Sequence, residues 1–211
     1  MFTRSEPTKA VDLVAGAVVS VTAGALTGAA AGFFWGGLGG RIAMRVLFLT
    51  SSDLVKGVTS DDGFEIGRIS ADSIFLIIAM TFIGGVLGAF WGLVRLLFRG
   101  PLWLITSGMT VALGAGAGGG LIVSTDGIDF KFLGPLWLAV ALFVFLPAVW
   151  GTTVVLATDK LLHIPLFTRN PIPGIDARPL GFIGDALGWA GILAITTLGL
   201  IDLIDDLKTL T

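Results

Sequence analysis

The chain has 211 residues, of which 13% are charged and 55% are hydrophobic. A soluble globular protein carries about 25% charged residues, so this chain has too little polar surface for a soluble globule. Its formal net charge of −2 offers no basic surface to nucleic acid. With no cysteine and one histidine, the chain has no disulfide, no thiol catalysis and no histidine-rich metal cluster. The composition predicts an integral membrane protein in a lipid bilayer, without cofactor or metal.

Four stretches without a charged residue predict the first four membrane spans. Each exceeds the about 20 apolar residues that a helix needs to cross a bilayer. A fifth apolar stretch ends near Ile201 and carries Asp185 close to its start. These long runs do not alternate as membrane β-strands do, so we expect an all-α bundle forming a single membrane domain, residues 1–211. The predicted spans cover approximately residues 13–38, 73–95, 102–123, 134–158 and 180–202.

The first span is expected to be an uncleaved membrane helix. Its apolar run continues to Leu38, well beyond the about 7–15 residues of a signal-peptide core. Five spans place the two termini on opposite faces. With a cytoplasmic N-terminus, seven Lys and Arg residues lie inside and six outside. We therefore expect a multi-pass protein of the cell membrane with its N-terminus in the cytoplasm and its C-terminus outside.

Two short blocks indicate an internal repeat. Residues 60–66 read Ser-Asp-Asp-Gly-Phe-Glu-Ile, and residues 124–130 read Ser-Thr-Asp-Gly-Ile-Asp-Phe. Asp-Gly between alternating residues is typical of a tight hairpin turn. We predict a duplicated two-helix hairpin, with spans 1 and 2 matching spans 3 and 4, a fifth helix, and short β-hairpin-like turns on one face. Chance recurrence of a common turn is the alternative. The acidic residues of the first block lack calcium-loop spacing, which favours a solvated turn over a cation site.

Glycine rows predict where the helices pack. Small residues let helices approach closely in lipid, whereas glycine otherwise costs a helix about 0.8–1.0 kcal/mol relative to alanine. A glycine zipper is therefore expected against another helix of this chain or of a second copy. Span 4 has no such row and is expected to be the most lipid-facing. The predicted packing positions are Gly24, Gly28, Gly32, Gly36 and Gly40 in span 1, Gly84, Gly88 and Gly92 in span 2, and Gly116 and Gly120 in span 3.

Charged residues near the ends of the spans form two candidate clusters. Arg41 and Arg45 are four residues apart and are expected on the same membrane face as Asp202. They form either a structural cluster or a site for the phosphate of a lipid or partner, because guanidinium binds phosphate bidentately. Asp185 is predicted to form an interfacial ion pair with Arg95, and a role of Asp185 in transport or catalysis is the alternative.

The sequence carries no recognisable catalytic, cofactor-binding or metal-binding motif. We therefore predict a non-catalytic structural or accessory helix bundle, or a self-associating one, whose glycine-rich helices bind itself or another membrane protein. A small transporter or channel with a path between the two hairpin repeats is the first alternative. An intramembrane lipid-modifying enzyme is the second, and it would need several acids on one face.

Overall fold

The computed structural model describes residues 6–51, 71–96, 98, 100–123, 134–164 and 178–210, and these residues are helical with no strand among them. Both predicted Asp-Gly turns lie outside these ranges. Within the described ranges, six α-helices and two π-helical segments follow one another. They are α1 (Glu6–Ala31), π1 (Gly32–Gly39), α2 (Gly40–Thr50), α3 (Ala71–Arg95), α4 (Leu102–Ala112), π2 (Leu113–Ile122), α5 (Leu136–Leu162) and α6 (Arg178–Leu210).

Five helices of the described chain are long and apolar enough to cross a membrane. They are Val14–Thr50, Ser73–Arg95, Leu102–Ile122, Leu136–Leu162 and Gly184–Thr209. Large apolar side chains such as Phe75, Phe82 and Leu121 are exposed on their outer surfaces, which fits a membrane protein rather than a soluble one. The first helix continues twelve residues past the predicted end at residue 38, because Ile42, Ala43 and Leu47 prolong its apolar pattern.

The first and fourth spans run antiparallel along their whole length. Thr27 contacts Thr158 near one end, and Ser51 contacts Gly134 at the other. We call the latter the Ser51 end, where Leu47, Val123 and Ala139 form a buried cluster with Leu203 packed against it. The opposite end, called the Arg95 end, contains Arg95 and Asp159. A second buried cluster, with Trp91, Phe98, Ile105, Val154 and Ile192, joins α3, α4, α5 and α6.

Helix α5 lies in the middle of the bundle, so the expectation that the fourth span would be the most lipid-facing is wrong. A larger share of its apolar core is buried than in α3 or α6. The reason lies in its second half, where Gly151, Val154, Val155 and Thr158 are all buried. A helix interface in lipid can be made by β-branched and hydroxyl side chains as well as by a glycine row.

Candidate functional site

The glycine row of α1 packs against the glycine row of α3 in the same chain. A Cβ built on Gly28 would lie 2.7 Å from Gly88 Cα, and one built on Gly84 would lie 2.8 Å from Gly32 Cα. Gly24 faces Gly88 and Gly92 in the same way. The obstructing atoms are backbone atoms, so no rotamer change can make room for a side chain. This helix contact is therefore made by backbone atoms, with hydrogen atoms in place of side chains.

A serine continues this interface toward the Arg95 end. Ser20 is fully buried, and its hydroxyl donates a 2.6 Å hydrogen bond to the carbonyl oxygen of Gly92. Toward the other end the row loosens. Gly36 faces only the flexible side chain of Met80, at 3.2 Å. Among the described residues, nothing lies within 4 Å of a Cβ built on Gly40, which gives no packing contact to this predicted position.

The π2 segment makes the second close interface, between α5 and α6. A Cβ on Gly120 would lie 3.0 Å from Gly199 Cα, and one on Gly116 would meet Ile195. On its other side, a Cβ on Gly118 would lie 2.6 Å from Val144 Cα of α5. Glycine on two faces of one segment thus lets three spans approach each other.

Hydroxyl and indole groups form hydrogen bonds between spans. The Thr27 and Thr158 hydroxyls lie 2.7 Å apart, and those of Thr110 and Thr152 lie 2.6 Å apart. The indole N–H of Trp35 donates to the Thr153 hydroxyl at 3.0 Å. All three bonds end on α5, so this helix connects the first span to the third. Thr27 and Thr152 also donate to carbonyl oxygens of their own helices, which is the common behaviour of threonine in membrane helices.

At the Arg95 end, an ion pair joins the second span to the fourth. Arg95 Nη2 lies 3.0 Å from Asp159 Oδ1, and Arg95 Nη1 donates to the carbonyl oxygen of Phe98 at 2.9 Å. The side chains of Arg95 and Asp159 are only 23% and 17% exposed. His163 lies beside them, with Nδ1 2.6 Å from the Asp159 carbonyl oxygen and its ring exposed.

The structure assigns to Asp159 the contact with Arg95 that the sequence suggested for Asp185. Asp185 lies on α6 at the same end and makes contacts of its own, so a pair between Asp185 and Arg95 stays a prediction. Asp159 directly precedes Lys160 at the end of a span, and the sequence analysis did not single it out. The periodicity of Val155, Thr158 and Asp159 along one helix face is the signal that could have identified it.

The predicted cluster of Arg41, Arg45 and Asp202 lies at the Ser51 end. Arg41 is partly buried, with its Nε and Nη2 atoms inside the protein, whereas Arg45 is exposed and its guanidinium lies 5.4 Å from the ring centroid of Phe48. Asp202 is also exposed and lies beside Gly120. No ion pair joins Asp202 to either arginine in the part of the chain that the structure describes. Phosphate binding by the two arginines stays a prediction.

Hydroxyl groups hold the two loop-flanking segments together at the Ser51 end. The Gly134 N–H donates to the Ser51 hydroxyl at 2.8 Å, and the Thr50 hydroxyl donates to the Gly134 carbonyl oxygen at 2.9 Å. Ser51 precedes the chain segment that holds the first Asp-Gly block, and Gly134 follows the segment that holds the second. The sequence analysis did not single out this contact, because single hydroxyl groups at the end of a span are common.

No protein-family model matches this chain, and comparisons with curated proteins and with solved structures find no match. The chemistry of the site therefore rests on the side chains themselves. Among the described residues, no group of three or more His, Asp or Glu side chains is placed to hold a metal ion. In the part of the chain that the structure describes, the arrangement consists of close backbone packing, hydroxyl pairs between spans, and the Arg95–Asp159 ion pair at the Arg95 end.

Proposed function

We propose that the chain is a non-catalytic, multi-pass membrane protein that acts as a structural or accessory component. The observation that supports this most strongly is the backbone contact between the glycine rows of α1 and α3. A contact between backbones tolerates no change in helix separation, so it favours a rigid bundle over one that opens. The hydroxyl pairs on α5 support the same role, because polar groups facing each other across helices hold the spans together.

Association with itself or another membrane protein is part of this proposal. The surfaces of Gly24, Gly28 and Gly32 are occupied by α3 of the same chain, so a partner would bind elsewhere. The exposed apolar side chains of α3 and α6 and the charged ends of the bundle offer the remaining surface. Purification in a mild detergent followed by mass determination of the protein–detergent complex tests self-association, and a strictly monomeric chain would restrict the proposal to an accessory role for other proteins.

A small transporter or channel is the second candidate, and the row of hydroxyls on α5 favours it. Thr152, Thr153 and Thr158 lie between the first and third spans, where a path between two hairpins would run. Flux of common ions and small solutes into proteoliposomes discriminates the two functions. A structural component gives no flux above protein-free liposomes. Flux that rises with protein content and changes in Thr158→Val would contradict the structural role and support transport.

We also propose that the chain arose from a duplicated hairpin and lies in the cell membrane with a cytoplasmic N-terminus. Two similarities support the duplication. In each hairpin the first arm contains a glycine-rich π-helical segment, π1 within the first span and π2 at the end of the third, and this arm packs closely against the second. The proposed orientation follows from the slight excess of Lys and Arg on the inside. Labelling of introduced cysteines tests both proposals and is described in the Discussion.

A further inference from the structure

The π1 segment interrupts the first span with an irregular hydrogen-bond register. The backbone N–H of Gly40 is shared between the carbonyl oxygens of Trp35, five residues back, and Gly37, three residues back, whereas an α-helix uses the fourth residue back. A π-helical turn therefore holds one residue more than an α-helical turn. Segments of this kind are rare and are found mostly as single turns within α-helices, frequently at functional sites. Here it lies directly before α2, which carries Arg41 and Arg45.

A change of π1 into α-helix would move α2 as a unit. Releasing one extra residue turns the following helix by about 100° and advances it by about 1.5 Å, since these are the rotation and rise of one α-helical residue. Each residue of α2 would then take the place of the residue after it. Ile42 and Val46 would take the places of Ala43 and Leu47, which are now 2% and 0% exposed.

The sequence of α2 suits both registers. Ile42 and Val46 are apolar, as are the two residues they would replace, so the face turned toward α5 stays apolar. Thr50 would take the place of Ser51, and each of these residues carries the hydroxyl that bonds Gly134. Isoleucine is larger than alanine, and fitting it at the place of Ala43 costs packing energy. The shifted register is therefore the less populated one.

The surroundings of π1 leave room for this change. Nothing among the described residues lies within 4 Å of a Cβ built on Gly40. A Cβ on Gly39 would be limited chiefly by Cδ2 of Leu146, at 2.9 Å, which is the end of a flexible side chain. By contrast, Gly28 and Gly32 are fixed by the backbone of α3. Gly37 also lies against α3, since a Cβ on it would be 3.1 Å from Ile77 Cα. The span is thus held by α3 up to Gly37 and adjustable at Gly39 and Gly40, just before α2.

From these observations we propose that π1 is a register switch. In one state it is π-helical and Leu47 packs on α5. In the other it is α-helical, Val46 packs there, and Arg41 occupies the present place of Ile42. Ile42 is 64% exposed, so the switch moves the Arg41 guanidinium from a position with buried nitrogen atoms to the surface of the bundle at the Ser51 end. A guanidinium there binds phosphate or carboxylate groups of a lipid or a partner.

Disulfide trapping tests the switch, because the chain has no native cysteine. The double variant Leu47→Cys/Ala139→Cys reports the present register, since both residues belong to one buried cluster. The double variant Val46→Cys/Ala139→Cys reports the shifted one. We expect the first pair to oxidise quickly and the second slowly but measurably. Leu49→Cys/Ala139→Cys is the control for general motion, because Leu49 is exposed now and would take the place of Thr50, which is also exposed, in the shifted register.

Deletion of Gly39 supplies the matched control. It removes the extra residue, so the segment becomes α-helical while α2 keeps its present orientation. In this background the Leu47/Ala139 pair should still oxidise, and the Val46/Ala139 pair should be lost. Persistence of the Val46/Ala139 disulfide in the deletion variant would overturn the proposal, as would loss of the Leu47/Ala139 disulfide in a folded deletion variant. If that variant does not fold, the test uses the chain without the deletion. Oxidation of the Val46/Ala139 pair without oxidation of the Leu49/Ala139 pair supports the switch, and any other result overturns it.

Discussion

At the scale of single residues, the glycines are of two kinds, which differ in whether the surrounding atoms leave room for a methyl group. A Cβ on Gly88 would lie 2.7 Å from the Cα of Gly28, so the obstacle is backbone that cannot rotate away. At Gly191 of α6, nothing among the described residues lies within 4 Å of such an atom. The first kind holds helices together, and the second only lowers helix propensity. Composition alone cannot separate them, because both occur in apolar spans.

Alanine substitution should therefore give opposite results at these two positions. Gly88→Ala pushes α1 and α3 apart and should destabilise the bundle by about 1–3 kcal/mol, the usual cost of overpacking. Gly191→Ala gains helix propensity and should stabilise it by up to about 1 kcal/mol. Unfolding in mixed detergent micelles, followed by circular dichroism, measures both. Equal stability of the two variants would contradict the glycine interface.

The ion pair at the Arg95 end allows a second comparison between residues. A double-mutant cycle of Arg95→Gln and Asp159→Asn isolates the coupling of two side chains that the structure places 3.0 Å apart. We expect a coupling free energy of about 0.5–3 kcal/mol, as found for residues in direct contact. The matched cycle uses Arg95→Gln with Asp185→Asn. Coupling to Asp185 but not to Asp159 would establish the pair suggested by the sequence and contradict the one in the structure.

At the scale of helices, the charge-free runs were enough to predict five helices long and apolar enough to span a membrane, and glycines of the predicted rows face each other between α1 and α3. The role of α5 was not predictable in this way. It carries no glycine row. Its hydroxyl hydrogen bonds to other spans are made by Thr152, Thr153 and Thr158. Hydrogen bonds between spans depend on which helices are neighbours. The sequence pattern of a single helix does not show which helices lie next to it.

The Thr27–Thr158 bond gives a prediction at this scale. Thr158→Val keeps the shape of the side chain and removes a hydroxyl that is fully buried. The loss should be modest, about 0.6 kcal/mol, because hydrogen bonds between membrane helices average this value and Thr27 keeps its bonds to Ala23 and Gly24. Thr197→Val is the control, since this exposed hydroxyl bonds only its own helix. A loss above about 2 kcal/mol would exceed the largest such bonds and show that the packing around Thr158 had also changed.

At the scale of the whole molecule, the contact between Ser51 and Gly134 bears on the topology. It brings the start of one connecting segment to the end of another, and α3 begins and π2 ends at the same side of the bundle. The described residues that flank the two connecting segments, 52–70 and 124–133, therefore lie at the Ser51 end. The Asp-Gly blocks themselves lie outside the described residues, and their position on one face stays a prediction. Charge counting alone could not establish the orientation, because Lys and Arg are nearly balanced between the faces.

Cysteine labelling across intact membranes tests this topology. In the cysteine-free chain, Asp62→Cys and Asp126→Cys should react with a membrane-impermeant maleimide from the same side, because five spans place both blocks beyond the Ser51 end. Arg169→Cys follows α5 and should react only from the opposite side. With a cytoplasmic N-terminus, the first two react in whole cells and the third only after the membrane is opened. If all three cysteines react from the side opposite to the one expected, the five-span bundle is retained and its orientation in the membrane is inverted. Labelling of Asp62→Cys and Asp126→Cys from different sides would contradict both the five-span topology and the duplicated hairpin.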